Sequence, residues 1–459
     1  MTSRLVVIGG DAAGMSAASQ ARKRRPASDL EIVAFERGQH VSYSACGIPY
    51  LVAGDVTDPD ALVARHPAEF LKLDIDVRLS SEVVAIDLDR RSVVFRSAAG
   101  SGASARESVL GFDQLVIATG GVPTRPDVPG SLSVGIHGVQ TLEDGIRLLG
   151  YLDRHQPRRA VVVGGGYIGL EMAEAMLRHG LDVTLVDAAE QPMRTLDPDM
   201  GGLIADALRA EGVTLRLGER LEGFASTAGR VTAVHTSGGE IPADLVILGL
   251  GSRPDSGLAR AAGIAVGETG GVRTDRRMRT SAEGVWAAGD CVETLHLVSL
   301  RPVAIALGTH ANKQGRAAGI NIGGGYATFP GVVGTAVSKL CGTEVARTGL
   351  STAEAAAAGF AAYSVTTEST TRAGYYPGAR KIKTKIIAER TTGRLLGAQI
   401  VGEEGAAKRI DALAVALWHG MTVEEMTSLD LSYAPPFAPV WDPVLIAARK
   451  AAEALGSFS

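Results

Sequence analysis

The first continuous apolar run of the chain is Leu5-Val6-Val7-Ile8, and it stops abruptly at Gly9-Gly10-Asp11. A short run that is apolar on both faces predicts a buried strand of a parallel sheet. The turn Gly9-Gly10-Asp11-Ala12-Ala13-Gly14 passes into a helix of small residues over 15–24. Glu31-Ile32-Val33-Ala34-Phe35 is the next strand, and Glu36 follows it. Strand, glycine turn, helix and strand make one β-α-β unit. The pattern returns at Arg159, with a strand over 160–163 and the turn Gly164-Gly165-Gly166-Tyr167-Ile168-Gly169. A helix to about 179 and the strand Val183-Thr184-Leu185-Val186 complete the repeat, which Asp187 closes. The chain therefore carries an internal duplication.

Further apolar runs at 115–120 and 245–249 each end in a tight turn. Val285-Trp286-Ala287-Ala288-Gly289-Asp290 is another strand and turn, opening toward a helix at about 302–323. The Gly/Ser/Ala-rich stretch 97–107 predicts a surface hairpin or loop. After Pro330 the texture changes to alternating strands at 381–387 and 396–401. A helix over 405–419 and the proline-rich stretch Tyr433-Ala434-Pro435-Pro436-Phe437 follow. The reading is an α/β chain with two Rossmann-like dinucleotide-binding units and a separate C-terminal α+β domain.

Composition narrows the function. With 459 residues, 46% of them hydrophobic and 21% charged, the chain has the make-up of a multidomain globular protein. A formal net charge of −4 gives no bulk attraction to nucleic acid or to a membrane surface. No stretch of about 20 apolar residues exists to span a bilayer, and the first run is too short for a signal peptide. Three cysteines, Cys46, Cys291 and Cys341, make no disulfide framework and point to a reducing, cytoplasmic setting. The histidines are scattered at no metal-site spacing from a cysteine, so no metal is expected.

In a dinucleotide unit the glycines let the backbone approach a pyrophosphate at the positive helix N-terminus, and the acid after the second strand binds ribose hydroxyls. The second unit matches fully at Gly164, Gly166, Gly169 and Asp187. The first has Gly9, Gly14 and Glu36, with Asp11 where the middle glycine would stand. Asp187 precedes Ala188-Ala189, with no adjacent arginine for a 2′-phosphate. That favours NADH, while NADPH stays open because Arg194 could fold back.

Cys46 stands in Ser42-Tyr43-Ser44-Ala45-Cys46-Gly47-Ile48-Pro49-Tyr50, and the position five residues on, where a dithiol reductase carries its second cysteine, is Leu51. If Cys46 does redox work, it works as one sulfur, through a mixed disulfide, a persulfide or a sulfenic acid. The alternative is a buried cysteine packed as a small apolar residue. Cys291 and Cys341 are read as structural.

Together these residues resemble the two-dinucleotide flavoprotein disulfide reductases over nearly the whole chain. The single cysteine narrows the resemblance to the branch of coenzyme A disulfide reductases, NADH oxidases and peroxidases, and NAD(P)H-dependent persulfide or sulfur reductases. Ala118-Thr119-Gly120 looks like that superfamily's ATG turn. Ala288-Gly289-Asp290 looks like its second FAD motif, whose aspartate holds the ribitol. Tyr375-Tyr376-Pro377-Gly378-Ala379, Lys408-Arg409-Ile410-Asp411 and the 433–437 stretch look like the dimerisation domain of the coenzyme A disulfide reductase group.

The resemblance implies an FAD-binding domain over 1–120 and 275–325, an NAD(H)-binding domain over 121–274 and a dimerisation domain over 330–459. FAD contacts would fall at Gly9, Ala13, Gly14, Glu36, Arg37, Val83, Ala118, Thr119, Gly120, Gly289 and Asp290. Nicotinamide-dinucleotide contacts would fall at Gly164, Gly166, Tyr167, Ile168, Gly169 and Asp187. Substrate contacts would fall at Ser16, Gln20, Lys23, Ser42, Lys72 and His310, with Lys23 where arginine is usual. Ser16, Gln20 and Lys23 at helical spacing would also suit a merely solvated face. Tyr375 and Tyr433 would enter the partner subunit's active site, which makes a homodimer the working unit.

Two departures bear on substrate. Ala45 replaces the asparagine common before the cysteine in coenzyme A disulfide reductases. Asp11-Ala12-Ala13-Gly14 lacks the histidine of the peroxidase and oxidase branch. The implied mechanism passes electrons from NADH through FAD to a mixed disulfide between Cys46 and a low-molecular-weight thiol such as coenzyme A. The released Cys46 thiolate then attacks the next disulfide or persulfide. A helix N-terminus and the flavin environment are expected to depress the thiol pKa. Tyr433 is the candidate proton donor, because no histidine lies beyond His419. Two alternatives stay open: an NADH oxidase that passes electrons to oxygen, and an electron-transfer reductase of a small redox protein with Cys46 inert.

Overall fold

The computed structural model describes residues 2–97 and 106–456. The first apolar run is the strand Ser3–Ile8, at the centre of a five-stranded parallel sheet. Leu30–Phe35 and Gln114–Ile117 flank it, with Ile75–Arg78 and Val285–Ala287 outermost. Leu5, Val6 and Val7 are fully buried, as a strand covered on both faces demands. The second unit repeats the plan. Arg159–Val163 is central, between Asp182–Asp187 and Leu245–Leu248, with Thr214–Leu217 and Ile136–Gly138 at the edges. Each unit also carries a three-stranded antiparallel sheet, at Ser81–Asp87, Ser92–Ser97 and Arg106–Gly111 and at Leu221–Thr227, Arg230–Thr236 and Gly239–Pro242. Of the stretch 97–107, residues 98–105 lie outside the described residues.

The helix Ala12–Arg22 packs on Gly308–Ile322, and small residues make the approach close. A Cβ at Gly315 would collide with the carbonyl oxygen of Ala13, and one at Gly319 with that of Ala17. The second of these helices begins at Gly308 rather than near 302. Pro302–Val303 is instead paired antiparallel with Thr294–Leu295, and Leu307 is extended. The pairing holds this stretch extended, so the helix can begin only after it, and proline's locked ring suits a short edge strand.

The C-terminal part is a five-stranded antiparallel sheet in the order Ala336–Leu340, Thr343–Gly349, Leu395–Gly402, Lys381–Glu389, Ala362–Thr370. The helices Ile410–His419 and Pro443–Gly456 join its core through Ile410, Leu413, Leu417, Val444 and Ala448. The helix expected over 405–419 opens instead as a 3₁₀ turn, Ala407–Arg409. The Glu344 carboxylate accepts from the amides of Gly405 (3.3 Å) and Ala407 (2.8 Å) and so fixes that first turn.

A buried charge cluster docks this sheet on the second dinucleotide unit. Lys385 Nζ lies 3.0 Å from Asp197 and 2.6 Å from Asp199, and Lys385 and Asp197 are both buried. Asp197 also accepts from the backbone and hydroxyl of Thr352 (2.9 and 2.6 Å), and its own amide donates to Gln399 (2.9 Å). Removing one partner of a buried pair strands the other charge, at a cost of about 3–5 kcal/mol. Lys385→Met is therefore expected to lower the denaturation midpoint markedly, while Lys385→Met with Asp197→Leu recovers part of the loss. Equal midpoints for wild type and the single variant would show that the cluster does not hold the two parts together.

Candidate active site

The two glycine turns have the same internal geometry. Gly9 and Gly164 sit at φ +106° and +104°, a region that costs glycine little, and a Cβ on either would collide with a backbone carbonyl, of Ala118 or Gly249. In the first unit Glu36 accepts from the amides of Gly10 (2.8 Å) and Gly38 (2.7 Å). In the second, Asp187 accepts from Gly165 (2.6 Å) and Ala189 (2.8 Å). Each acid thus braces its turn and the chain that follows it.

These turns suit dinucleotides. A Cβ at Gly166, the residue before the helix Tyr167–Arg178, would meet nothing within 4 Å, so the space beside that helix start is open. At the matching place in the first unit, the Asp11 carboxylate turns aside to accept from the Tyr43 amide at 3.2 Å. Burial, with Glu36 and Asp290 nearby, pushes Asp11 up to about 7. An acid that is substantially protonated near neutrality removes the conflict with a pyrophosphate. Asp290, raised by burial, is held by the backbone at Leu307. Gly120 has φ +74° and Thr119 donates to the Asp255 carbonyl at 2.5 Å. Ala13 is buried against Gly289. Arg37 lies 3.8 Å from Asp255, and the Val83 side chain is in the core, which leaves only its backbone for a ligand. Tyr167 is half-buried and Ile168 exposed at the second helix start, and Arg194 is exposed.

Cys46 is an exposed residue of the short turn Ala45–Gly47, just before the helix Ile48–Ala53. Its loop is tied to the first glycine turn by Ser42 N–H to Gly10 O (3.0 Å) and by the Tyr43–Asp11 bond. A Cβ at Gly47 would strike Leu62, and Leu51, five residues after Cys46, is buried. The thiol pKa moves opposite to the depression expected from the sequence. The protein's own groups raise it, first by partial burial, then through the carboxylates of Glu171, Asp290 and Asp11, and a backbone amide offsets only part. The helix that follows has six residues, too short to supply a large opposing dipole. Cys291 is fully buried, donates to the carbonyls of Ile117 and Ala288, and is pushed up to about 11 by burial. Cys341 occupies a left-handed turn position, φ +49°, and burial and Glu174 push it up to about 12.

The remaining predicted residues divide. Ser16 donates to Asn312 (2.8 Å) across the helix pair, Gln20 accepts from Arg24 (2.9 Å), and Lys23 is exposed. Ser42 has φ +50°, Lys72 is exposed after the helix Pro67–Leu71, and His310 is half-buried in the first turn of Gly308–Ile322, its pKa lowered by burial. Tyr375 and Tyr433, 58 positions apart in sequence, meet on the surface of the C-terminal part. A hydrogen bond between their hydroxyls pushes Tyr433 up.

Sequence reasoning missed Glu171 and Glu174. They lie on the otherwise apolar helix Tyr167–Arg178 and share a cavity of about 10 Å³ with Pro49, Tyr50, Ala53, Asp55 and Lys339. Burial pushes Glu171 up to about 7, and Ser338 donates to it at 2.9 Å. The available signal was two acids three positions apart inside an apolar helix.

Residues 3–315 match the family described as Pyridine nucleotide-disulphide oxidoreductase, and 335–443 match its dimerisation domain. The chain is 39% identical over 454 residues to an NAD(P)H coenzyme A polysulfide/persulfide reductase of Pyrococcus horikoshii, covering 98% of each. It is 34% identical to an NADH oxidase of Methanocaldococcus jannaschii, covering 99% of this chain and 100% of that one. Among solved structures, an NAD-dependent persulfide reductase from A. fulgidus superposes with a TM-score of 0.94 at 39% identity, over 99% of this chain and 84% of that one.

The charges around Cys46 have a measurable consequence. Above a pH of about 7 Glu171 is an anion that adds to the effect of burial in raising the thiol, and below it Glu171 is neutral. Glu171→Gln should therefore speed alkylation of Cys46 by iodoacetamide at mildly alkaline pH, with the difference vanishing as pH falls below Glu171's range. Coincident pH–rate profiles for the two proteins would remove Glu171 as the controlling charge.

Proposed function

The chain belongs to the pyridine nucleotide-disulphide oxidoreductases, and within that family we propose that it reduces a low-molecular-weight disulfide or persulfide of the coenzyme A type through Cys46 as its one redox sulfur. The family is FAD-dependent and uses NAD(P)H. The observation that carries the reading is the cysteine inventory. Cys46 is exposed beside the carboxylates of both the first glycine turn and the second unit's helix, buried Leu51 fills the place of a second sulfur, and Cys291 is sealed in the core.

In this reading the Gly9–Gly14 turn, Glu36, Thr119 and Asp290 of the domain over 1–120 and 275–325 would hold FAD, and Gly164, Gly166, Gly169 and Asp187 of the domain over 121–274 would hold the nicotinamide dinucleotide. FAD bound there and reduced by NADH would supply the electron pair that returns Cys46 from a mixed disulfide to the thiol level. Cys46 sulfur attacks the substrate disulfide, one S–S bond forms as another breaks, and a substrate thiolate departs. A raised thiol pKa makes Cys46 the poorer leaving group in the mixed disulfide, so cleavage expels the substrate sulfur. Tyr433, its proton held by Tyr375, protonates that thiolate. Ser16, Gln20, Lys23, Ser42, Lys72 and His310 line the approach of the substrate.

Residues 330–459 serve as the dimerisation domain of a homodimer. Val415, Trp418, Phe437, Val440 and Trp441 are all exposed there, large apolar side chains of the kind that an interface covers. Tyr375 and Tyr433 complete the partner's active site. Free cysteines suit a cytoplasmic setting. A second reading, an NADH oxidase, draws on the relative of that name and on a thiol held protonated.

Cys46→Ser separates the two. The wild-type protein should take up two electron pairs per active site in anaerobic NADH titration, and the variant one, with flavin reduction kept and disulfide turnover lost. A variant that still reduces coenzyme A disulfide would defeat the thiol mechanism. NADH should exceed NADPH in kcat/KM, because Asp187 repels a 2′-phosphate. Preference for NADPH would mean that Arg194 or another cation outweighs that acid.

A further inference from the structure

Arg409 stands at the end of the 3₁₀ turn Ala407–Arg409, and its guanidinium is spread over three separate pieces of chain. Nη2 donates to the carbonyl of Thr371 at 2.6 Å and to that of Phe437 at 2.8 Å. Nη1 donates to the carbonyl of Gly405, and Nε lies 3.1 Å from the carboxylate of Asp442. The side chains of Arg409 and Asp442 are only 12% and 11% exposed, so neither bond is a loose surface contact. Asp442 is itself fixed, because its other oxygen accepts from the Val444 amide (2.9 Å) at the start of the helix Pro443–Gly456.

Each of the two carbonyls at Nη2 belongs to a stretch that bears a tyrosine. Thr371 begins the loop that carries Tyr375. That loop is closed at its base by Thr371 N–H to Arg380 O (2.8 Å). Phe437 ends the proline-rich stretch that carries Tyr433. Behind the tyrosines a backbone bond joins the stretches, Ala373 N–H to Pro435 O at 3.1 Å. Arg409 is the side chain that holds both from below. Its fork is suited to this: a guanidinium can serve two carbonyls and a carboxylate in fixed directions, whereas an ammonium is a point charge on a flexible stem. Within one subunit Tyr375 is 79% and Tyr433 47% exposed, so there the positions of the two rings follow those of the stretches that carry them.

We propose that Arg409, seated on Asp442, is a positioning residue that sets the Tyr375–Tyr433 pair at the distance and angle its proton transfer requires. The inference rests on the reading that Tyr433 protonates the departing thiolate. Arg409 touches neither substrate nor cofactor and acts through the two backbone stretches. Losing the fork leaves both loops attached at their ends but free to separate, and a misplacement of about 1 Å in an acid can cost about 10²-fold in rate.

The test uses the FAD-loaded full-length protein with coenzyme A disulfide as the probe, in four forms: wild type, Arg409→Lys, Tyr433→Phe and the double variant. Lysine keeps the charge and the partner Asp442 but cannot reach both carbonyls at once. Flavin reduction by NADH should be the same in all four. Reoxidation by coenzyme A disulfide should fall by about 10²-fold in Arg409→Lys. In the Tyr433→Phe background the same change should add less than about twofold, because the hydroxyl it positions is gone. An ultraviolet titration of tyrosine, taken as the difference between each protein and its Tyr433→Phe counterpart, should show Tyr433 titrating lower once Arg409 is lysine. Equal losses in both backgrounds would overturn the proposal. So would a wild-type rate for Arg409→Lys, or an Arg409→Lys protein that fails to fold or to keep FAD, since the arginine would then be a scaffold for the whole domain. If Tyr433→Phe alone reoxidises at the wild-type rate, the proton-donor reading itself fails, an outcome that no result with Arg409 can imitate.

Discussion

A backbone approach too close for any side chain organises this molecule. At Gly9 and again at Gly164 the turn out of the central strand lies against the carbonyl just past the end of a neighbouring strand, of Ala118 or of Gly249, where a Cβ has no room. That approach points the freed amides of Gly10 and Gly165 at Glu36 and Asp187. The two binding clefts, their polarity and the direction of their helices follow from it. So does the place of Cys46, because its loop is tied to the first turn through Gly10 and Asp11.

The same crowding sets the electrostatics. Asp11, Glu36 and Asp290 converge from three elements, and together with burial this raises Asp11 to about 7. Asp290 and Asp11 then act on Cys46, joined by Glu171 from the other unit. Carboxylates gathered at the first glycine turn thus work against a free thiolate. In the proposed mechanism a raised thiol pKa lowers the thiolate fraction available to attack each new disulfide, and it favours retention of Cys46 when the mixed disulfide is cleaved. The proton is then needed at the departing substrate sulfur rather than at Cys46.

How much of this could be read from the chain depends on how local the cause is. The strand–turn–helix units, their acids and the lone cysteine are contiguous patterns, and the structure places them as the periodicity predicts. Helix limits that depend on distant partners were not legible. The start at Gly308 is set by a strand pairing of Pro302–Val303, and the 3₁₀ turn before Ile410 is set by Glu344, more than sixty residues upstream. Glu171 was missed because a glutamate in an apolar helix looks like a surface position until Ser338 and the helix Ile48–Ala53 pack over it. The thiol pKa was misjudged for the same reason. A helix N-terminus can be seen in the sequence, but three carboxylates from three elements cannot.

The C-terminal part shows where resemblance and physics meet. Tyr375 and Tyr433 stand out in sequence only through the motifs around them, since two exposed tyrosines carry no periodic signal. The structure supplies a reason for their pairing: hairpin closure at Thr371 and Arg380, a backbone bond from Ala373 to Pro435, and a half-buried arginine beneath both stretches. Prolines at 435 and 436 remove two backbone donors and fix two φ angles, which limits how far that stretch can drift. An exposed hydroxyl needs such restraint more than a buried one does. Within one subunit the geometry of its loop directs Tyr433 at Tyr375. Precision at this surface is therefore a property of the buried groups behind it rather than of the tyrosines themselves.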